Sequence, residues 1–277
     1  MAATFDLEAV EAALQGTRFA GKLQHFARID STNTYALQQA QAGAPDGCVY
    51  LADEQSAGRG RSNHTWHSVT GDGLYLSVLL RPQLTLRNAL WLALATGLAI
   101  QHAIRQTLGV TTDIRWPNDL LVGRRKCGGV LVETAAATDA TTPLRYAVVG
   151  IGINLNHTSF PAELAESATS LWLAGGQPVS RELLLPPLLR ALQQEFERLE
   201  REVHGLPESA GLLQRFAASS SWVHGKQVRV SEMGGYTGQT DGLDPQGFLR
   251  VRTEDGTVRT VLSGGVREME ERRGGKA

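Results

Sequence analysis

Past Ser221 the sequence changes texture, and that change constrains the fold more than any other feature. "KQVRVSE", "YTGQTDGLD", "FLRVRTEDG" and "TVRTVLSGG" are short alternating strands punctuated by Gly and Asp. Roughly fifty residues of this pattern predict a small β-barrel-like module. Upstream, apolar strands alternate with helical segments, so a mixed α/β domain comes first. The boundary is predicted in the run Ser219 to Ser221. This divides the chain into 1–218, 222–270 and a frayed tail at 271–277.

Within the first domain, Asp6 caps a helix running to about Leu14 and stopping near Gly16. Ser31 or Thr32 is an N-cap for a helix from Tyr35 to Ala42. "GCVYLADEQ" reads as a compact strand, and "GLYLSVLLRP" as a very apolar one ended by Pro82. "NALWLALATGLAIQHAIRQTLG" is a long helix, apolar nearly all round at first and therefore buried. "DIRWPNDLLV" and "KCGGVLVETAA" predict a hairpin turned at Gly123 to Arg125, with Trp116 extended before Pro117. "RYAVVGIGINLN" is a further apolar strand. A long helix covers Arg181 to Val203, where Pro186 and Pro187 predict a break or a late start.

The 27 basic and 28 acidic side chains leave a formal charge of −1, which argues against a general polyanion binder. Cys48 and Cys127 are the only cysteines, too few for a disulfide framework. The first residues carry acids and no apolar signal core. The longest apolar stretch, Ala89 to Ile100, is well short of a membrane span. A cytoplasmic protein without membrane contact is expected.

Several chemistries are excluded by their missing signatures. No G-x-x-x-x-G-K-[ST], G-x-S-x-G or H-E-x-x-H occurs. His64 and His67 read as two solvated loop residues, and no protein-only metal site is expected. Gly150 and Gly152 begin a dinucleotide fingerprint, but Leu155 stands where its third glycine belongs.

Three stretches remain. In "EQSAGRGRSNHTW" (Glu54 to Trp66), Gly58 and Gly60 let the backbone approach a ligand, and Arg59 and Arg61 match phosphate or carboxylate oxygens. Such a loop is expected to be mobile when empty and ordered when filled. Alone, it also fits a solvated turn with two surface arginines. In "RWPNDLLVGRRKCGG", Lys126 precedes Gly128 and Gly129, and glycines inside a strand imply close packing against the backbone. "GIGINLN" ends an apolar strand with Asn154 and Asn156. Together the three predict an anion-binding cleft with an apolar floor at the ends of three strands.

In these stretches the chain resembles the biotin protein ligases. The resemblance rests on six ordered blocks: "DSTNTY", "EQSAGRGR....W", "GLYLS", "RWPNDL", "KCGGVLVE" and "GIGINLN". It covers the chain from about residue 25 onward. It implies an α+β fold: a mixed sheet flanked by helices, of the class II synthetase-like biotin ligase kind, followed by a small SH3-like β-barrel. It also implies a reaction in two steps, biotin and Mg2+-bound ATP giving biotinyl-5′-AMP, then transfer to a lysine of a biotin carboxyl carrier protein. The partner expected is the carrier of acetyl-CoA carboxylase or of a similar enzyme, and the chain a monomer or homodimer.

By the same resemblance, Ser31, Thr32, Asn33 and Gln55 line the ureido end of biotin. Gly58, Arg59, Gly60 and Arg61 close over biotin and the adenylate. Lys126 holds the biotin carboxylate and the α-phosphate. Trp66 is a platform for adenine, Asn118 and Asn154 face the triphosphate, and Asp119 positions metal or the incoming lysine. Arg61, Lys126 and Asp119 thus form the catalytic set. Arg115 stands where the family often has lysine, and Ser62, Asn63 and His64 where it often has basic residues, which implies weaker retention of the intermediate. About thirty residues precede Asp30, too few for the DNA-binding domain of some members, so no DNA binding is expected. A lipoate ligase or octanoyltransferase of the same fold, and a non-catalytic binding protein, are the alternatives.

Overall fold

The computed structural model describes residues 5–135 and 142–269; the tail at 271–277 lies outside the described residues. Helix α1 (Leu7–Ala13) starts at Asp6, whose carboxylate accepts the Ala9 N–H at 2.9 Å. Strand β1 (Leu23–Phe26) leads to α2 (Thr32–Gln41), and Ser31 is the residue that caps it. Strands β2 (Val49–Ala52) and β3 (Gly73–Leu80) are buried at every position. Helix α3 (Ala89–Leu108) buries Leu92 through Ile100 without interruption and ends at Gly109, whose φ of 68° suits a residue without Cβ.

Next come β4 (Asp113–Arg115), β5 (Asp119–Val122) and β6 (Arg125–Ala135). The expected hairpin is therefore a three-stranded meander, its first arm divided into β4 and β5, which pair with each other. Strand β7 (Tyr146–Asn154) and the short helix α4 (Leu171–Gly175) precede α5 (Arg181–Val203). Contrary to expectation, α5 runs unbroken through Pro186 and Pro187. Each proline removes one helical hydrogen bond. Burial of Leu184, Leu185, Leu188 and Leu189 on the same helix offsets that loss. The short helices α4 and α6 (Leu212–Ser219) went unread in the sequence.

The chain closes with β8 (His224–Val230), β9 (Tyr236–Leu243), β10 (Leu249–Arg252), β11 (Val258–Val261) and β12 (Val266–Glu268).

The first seven strands form one mixed sheet in the order β1-β2-β3-β7-β6-β5-β4, with only β1 and β2 parallel. Alternation along the strands sorts residues between two faces. One set, Leu74, Leu76, Val78, Val149 and Ile151, joins the main core with α3 and α5. The other set, Leu79 and Val148, packs beneath Ala36 and Ala40 of α2 in a smaller cluster. This second face carries the site.

The last five strands form an antiparallel sheet in the order β11-β10-β9-β8-β12, the arrangement of an SH3-like barrel left unclosed. It is fastened to the first domain by two indoles. Trp91 Nε1 donates to Gln246 O at 3.0 Å, and Trp116 Nε1 to Gly247 O at 2.9 Å. Among the described residues no helix is long and apolar enough to cross a membrane.

Candidate active site

Glycines make the floor. Strand register aligns Ser77 of β3 with Gly150 of β7 and Leu131 of β6, and Tyr75 with Gly152 and Gly129. A Cβ on Gly152 would lie 2.6 Å from Trp66 Cε2, and one on Gly129 3.3 Å from Trp66 Cζ3. The indole can therefore lie on the bare backbone of β6 and β7. The close approach expected at Gly129 is made by this ring and by the Lys126 side chain, 3.1 Å from the same position. A cleft opens above this floor. Its walls include Ser31, Thr32, Asn33, Gln55, Arg59, Gly60, Arg61, Trp66, Asn118 and Lys126, drawn from six separate parts of the chain.

One end is neutral and crowded with hydrogen-bonding groups at the start of α2. The Gln55 side-chain oxygen accepts the Thr32 N–H at 2.9 Å and its hydroxyl at 3.1 Å. Buried Ser77 Oγ lies 2.8 Å from Thr32 Oγ1 and donates to Asn33 Oδ1 at 2.6 Å. Asn33 Nδ2 donates to Glu133 at 2.9 Å. A Cβ on Gly150 would collide with Asn33 Oδ1 at 2.1 Å, so Asn33 sits where only glycine leaves room.

The other end is cationic. Lys126 Nζ stands 2.6 Å from Asp119 Oδ1 and 5.3 Å from the centre of the Trp66 ring. Arg115 grips Asp119 Oδ2 through Nε (3.1 Å) and Nη2 (2.5 Å). Burial opposes ionisation of Asp119, but the charges of Lys126 and Arg115 outweigh it and hold the carboxyl below the usual range. Burial lowers the Arg61 pKa, an effect that Asp119 and Glu232 oppose. Its guanidinium donates to Asn118 Oδ1 (3.0 Å) and to Ser263 O (2.8 Å) of the barrel. Burial and nearby Arg115 likewise lower the Arg267 pKa, against the pull of Asp119.

The loop from Gly58 to Trp66 roofs the cleft as a small closed turn. Gly60 N–H donates to His64 O (2.7 Å) and Trp66 N–H to Gly58 O (2.9 Å), with Ser62 left-handed at φ 52°. Arg59 leans outward to a bidentate pair with Glu133, at 2.8 and 3.0 Å.

Residues 25–154 match the Biotin/lipoate A/B protein ligase family, and residues 223–266 match the Biotin protein ligase C terminal domain. The chain is 34% identical over 231 residues to the bifunctional ligase/repressor BirA of Bacillus spizizenii, covering 82% of this chain and 68% of that one. It is 32% identical to the biotin–[acetyl-CoA-carboxylase] ligase of Mycobacterium tuberculosis, covering 88% and 87%. The chain belongs to the biotin protein ligase family. A solved structure of the biotin protein ligase of Aquifex aeolicus, in complex with biotin and ATP, superposes with a TM-score of 0.74 at 27% identity, covering 90% of this chain and 100% of that one.

Against this family the site residues read from the sequence divide. Ten of them line one cleft, as above. Three do not. Gly58 begins the roof loop but is off the cleft wall, and a Cβ there would meet Trp66 O at 2.8 Å. Asp119 stands behind Lys126 rather than on the wall. Asn154 is not on the cleft wall. It is 6% exposed, and its amide donates to Thr169 O at 3.0 Å. Thr169 N–H in turn donates to Lys126 O at 2.9 Å, so Asn154 braces the segment that flanks Lys126. Arg59 lines the cleft, but Glu133 occupies its guanidinium.

Ser77 and Glu133 were overlooked, although both stand inside quoted blocks; each sits on the cleft face by strand alternation, a signal the sequence does carry. Arg267 carried no signal of its own. His67 is half-buried, with its ring 5.7 Å from that of His157.

His157 is 1% exposed and stacks on Phe160 at 5.1 Å. Burial lowers its pKa; Asp72 opposes this and His67 reinforces it. The folded protein therefore keeps the ring neutral, while the unfolded chain protonates it near the ordinary value of about 6.5. The stability at stake is present above that pH and is lost as pH falls below it. Thermal melts from pH 7.5 to 5 are expected to fall more steeply for wild type than for His157→Phe, and parallel curves would refute this.

Proposed function

We infer that the chain is an ATP-dependent biotin protein ligase. The observation that carries this reading is a single cleft with a neutral hydrogen-bonding end, a glycine floor under an indole, and a cationic end. A flat, uncharged ureido head suits the first, where Thr32, Asn33 and Gln55 already form a fixed network. A carboxylate meeting a phosphate requires the last, because anions must be brought together there.

In the first step a biotin carboxylate oxygen bonds to the α-phosphorus of ATP, and the bond to pyrophosphate breaks. Lys126 stands where it can neutralise both reacting anions, with Arg61 beside it. In the second step the neutral amine of a carrier lysine attacks the acyl carbon, AMP leaves with the C–O bonding pair, and the amine loses a proton. Asp119 is poorly suited to take that proton, because both its oxygens are engaged by cations and its pKa is held low. Its role is to aim Lys126. The buried Trp66 Nε1–H, which has no acceptor among the described residues, supports a ligand acceptor at the edge of the indole.

Asp119 and Glu133, the carboxylates beside the cleft, are both fully paired, and among the described residues no three His, Cys, Asp or Glu side chains gather to hold a metal. Mg2+ is proposed to arrive with the phosphates of the nucleotide. The carrier of acetyl-CoA carboxylase is the proposed acceptor.

The test is an incubation with Mg2+-bound ATP, a carrier domain, and either biotin or lipoate, read by intact mass and pyrophosphate release. One biotin on one carrier lysine is expected. Transfer of lipoate in place of biotin would overturn the assignment.

A further inference from the structure

Resting on that functional reading, we propose that Glu133 is a positioning residue that latches the roof of the cleft and sets how long the adenylate is retained. Strand alternation puts Gly129, Leu131 and Glu133 of β6 on the cleft face. Glu133 Oε1 accepts from Arg59 Nη2 at 2.8 Å. Its Oε2 accepts from Arg59 Nη1 at 3.0 Å and from Asn33 Nδ2 at 2.9 Å. One carboxylate thus joins the roof to the neutral end of the site.

The two partners are anchored differently. Asn33 is fixed by Ser77 and by the space above Gly150. Arg59 belongs to a loop whose main-chain bonds at Gly60 and Trp66 are internal to the loop. The contacts holding that loop down are the indole on the floor, Arg61 on Asn118 and Ser263, and the Arg59–Glu133 pair. Among the described residues this pair is the loop's one ion pair to the rest of the protein. Glu133 pairs with the charge of Arg59 as Asp119 pairs with that of Lys126. An exposed ion pair does little for global stability. A bidentate, charge-assisted pair between the roof and the sheet acts instead on the opening rate, because opening must break it.

The adenylate is formed in the full chain from biotin and Mg2+-bound ATP, freed of excess substrate, and its release followed. Glu133→Gln, Arg59→Gln and the double variant are compared with wild type, alongside melts and hydrogen exchange of residues 58–66 in the ligand-free protein. Glu133→Gln keeps the shape and the Asn33 contact but loses the charge pairing. It is expected to release adenylate about tenfold faster, with faster exchange in the loop and an unchanged melting temperature. The double variant should be no faster than the single ones, because both remove the same contact. Release and exchange at the wild-type rate in Glu133→Gln, or effects that multiply in the double variant, would refute the latch. If wild type forms no adenylate, the functional reading fails, and loop exchange still decides whether Glu133 holds the roof.

Discussion

Lys126→Ala is expected to slow single-turnover pyrophosphate release by about 10²–10³-fold, the loss of roughly 2.7–4 kcal/mol that follows removal of one preorganised donor. Lys126 lines the cleft, and the Lys126–Asp119 pair aims its ammonium. Lys126→Arg should recover only part of the rate, because a planar fork does not replace a compact ammonium. Folding should survive, since Arg115 still pairs Asp119 and the Lys126 side chain is one-third exposed (33%). A partly exposed pair contributes about 0–1 kcal/mol, or at most ~4 °C in a chain of this size.

The control is the next residue. Cys127 is fully buried in the core, and burial pushes its thiol pKa up to about 12. Cys127→Ser should cost about 1–3 kcal/mol of stability and leave pyrophosphate release near wild type. A nearly active Lys126→Ala beside a dead Cys127→Ser would mean that the wrong face of β6 has been assigned to the site.

Gly150→Ala should be the most damaging single methyl group in the binding end. The new Cβ would sit 2.1 Å from Asn33 Oδ1. Asn33 cannot yield cheaply: it is 4% exposed and held by Ser77 at 2.6 Å and Glu133 at 2.9 Å. Overpacking of this kind costs about 1–3 kcal/mol. Directed into the ligand site, that weakens biotin binding by about 10–100-fold. Calorimetric titration with biotin measures it, and wild-type affinity in Gly150→Ala would show that Asn33 is free to move.

Much of this protein was legible because its information is local. Asp6 and Ser31 announced their helices through short polar side chains that satisfy free N–H groups one turn on. The apolar runs of β3 and β7, and the unbroken apolar start of α3, announced a buried sheet and its covering helix. Gly128 and Gly129 inside β6 marked where something approaches the backbone, and at Gly129 it does. The six blocks, in order, identified the family and named ten residues of the cleft.

What the sequence left open depends on register and on partners far along the chain. Asn154 looked equivalent to Asn118, but its amide is satisfied by Thr169, a contact that exists only once the segment after β7 folds back. The proline pair in α5 was read by its local cost, whereas the buried leucines around it decided the outcome. Glu133 meets Asn33 from 100 residues away, and Arg59 from 74. No local pattern can encode such a meeting. Sequence determined which chemical groups this protein owns and which strand face each occupies, because alternation and capping are short-range. Tertiary structure alone decided which of those groups face one another, because pairing between distant strands sets the distances on which charge neutralisation and hydrogen bonding depend.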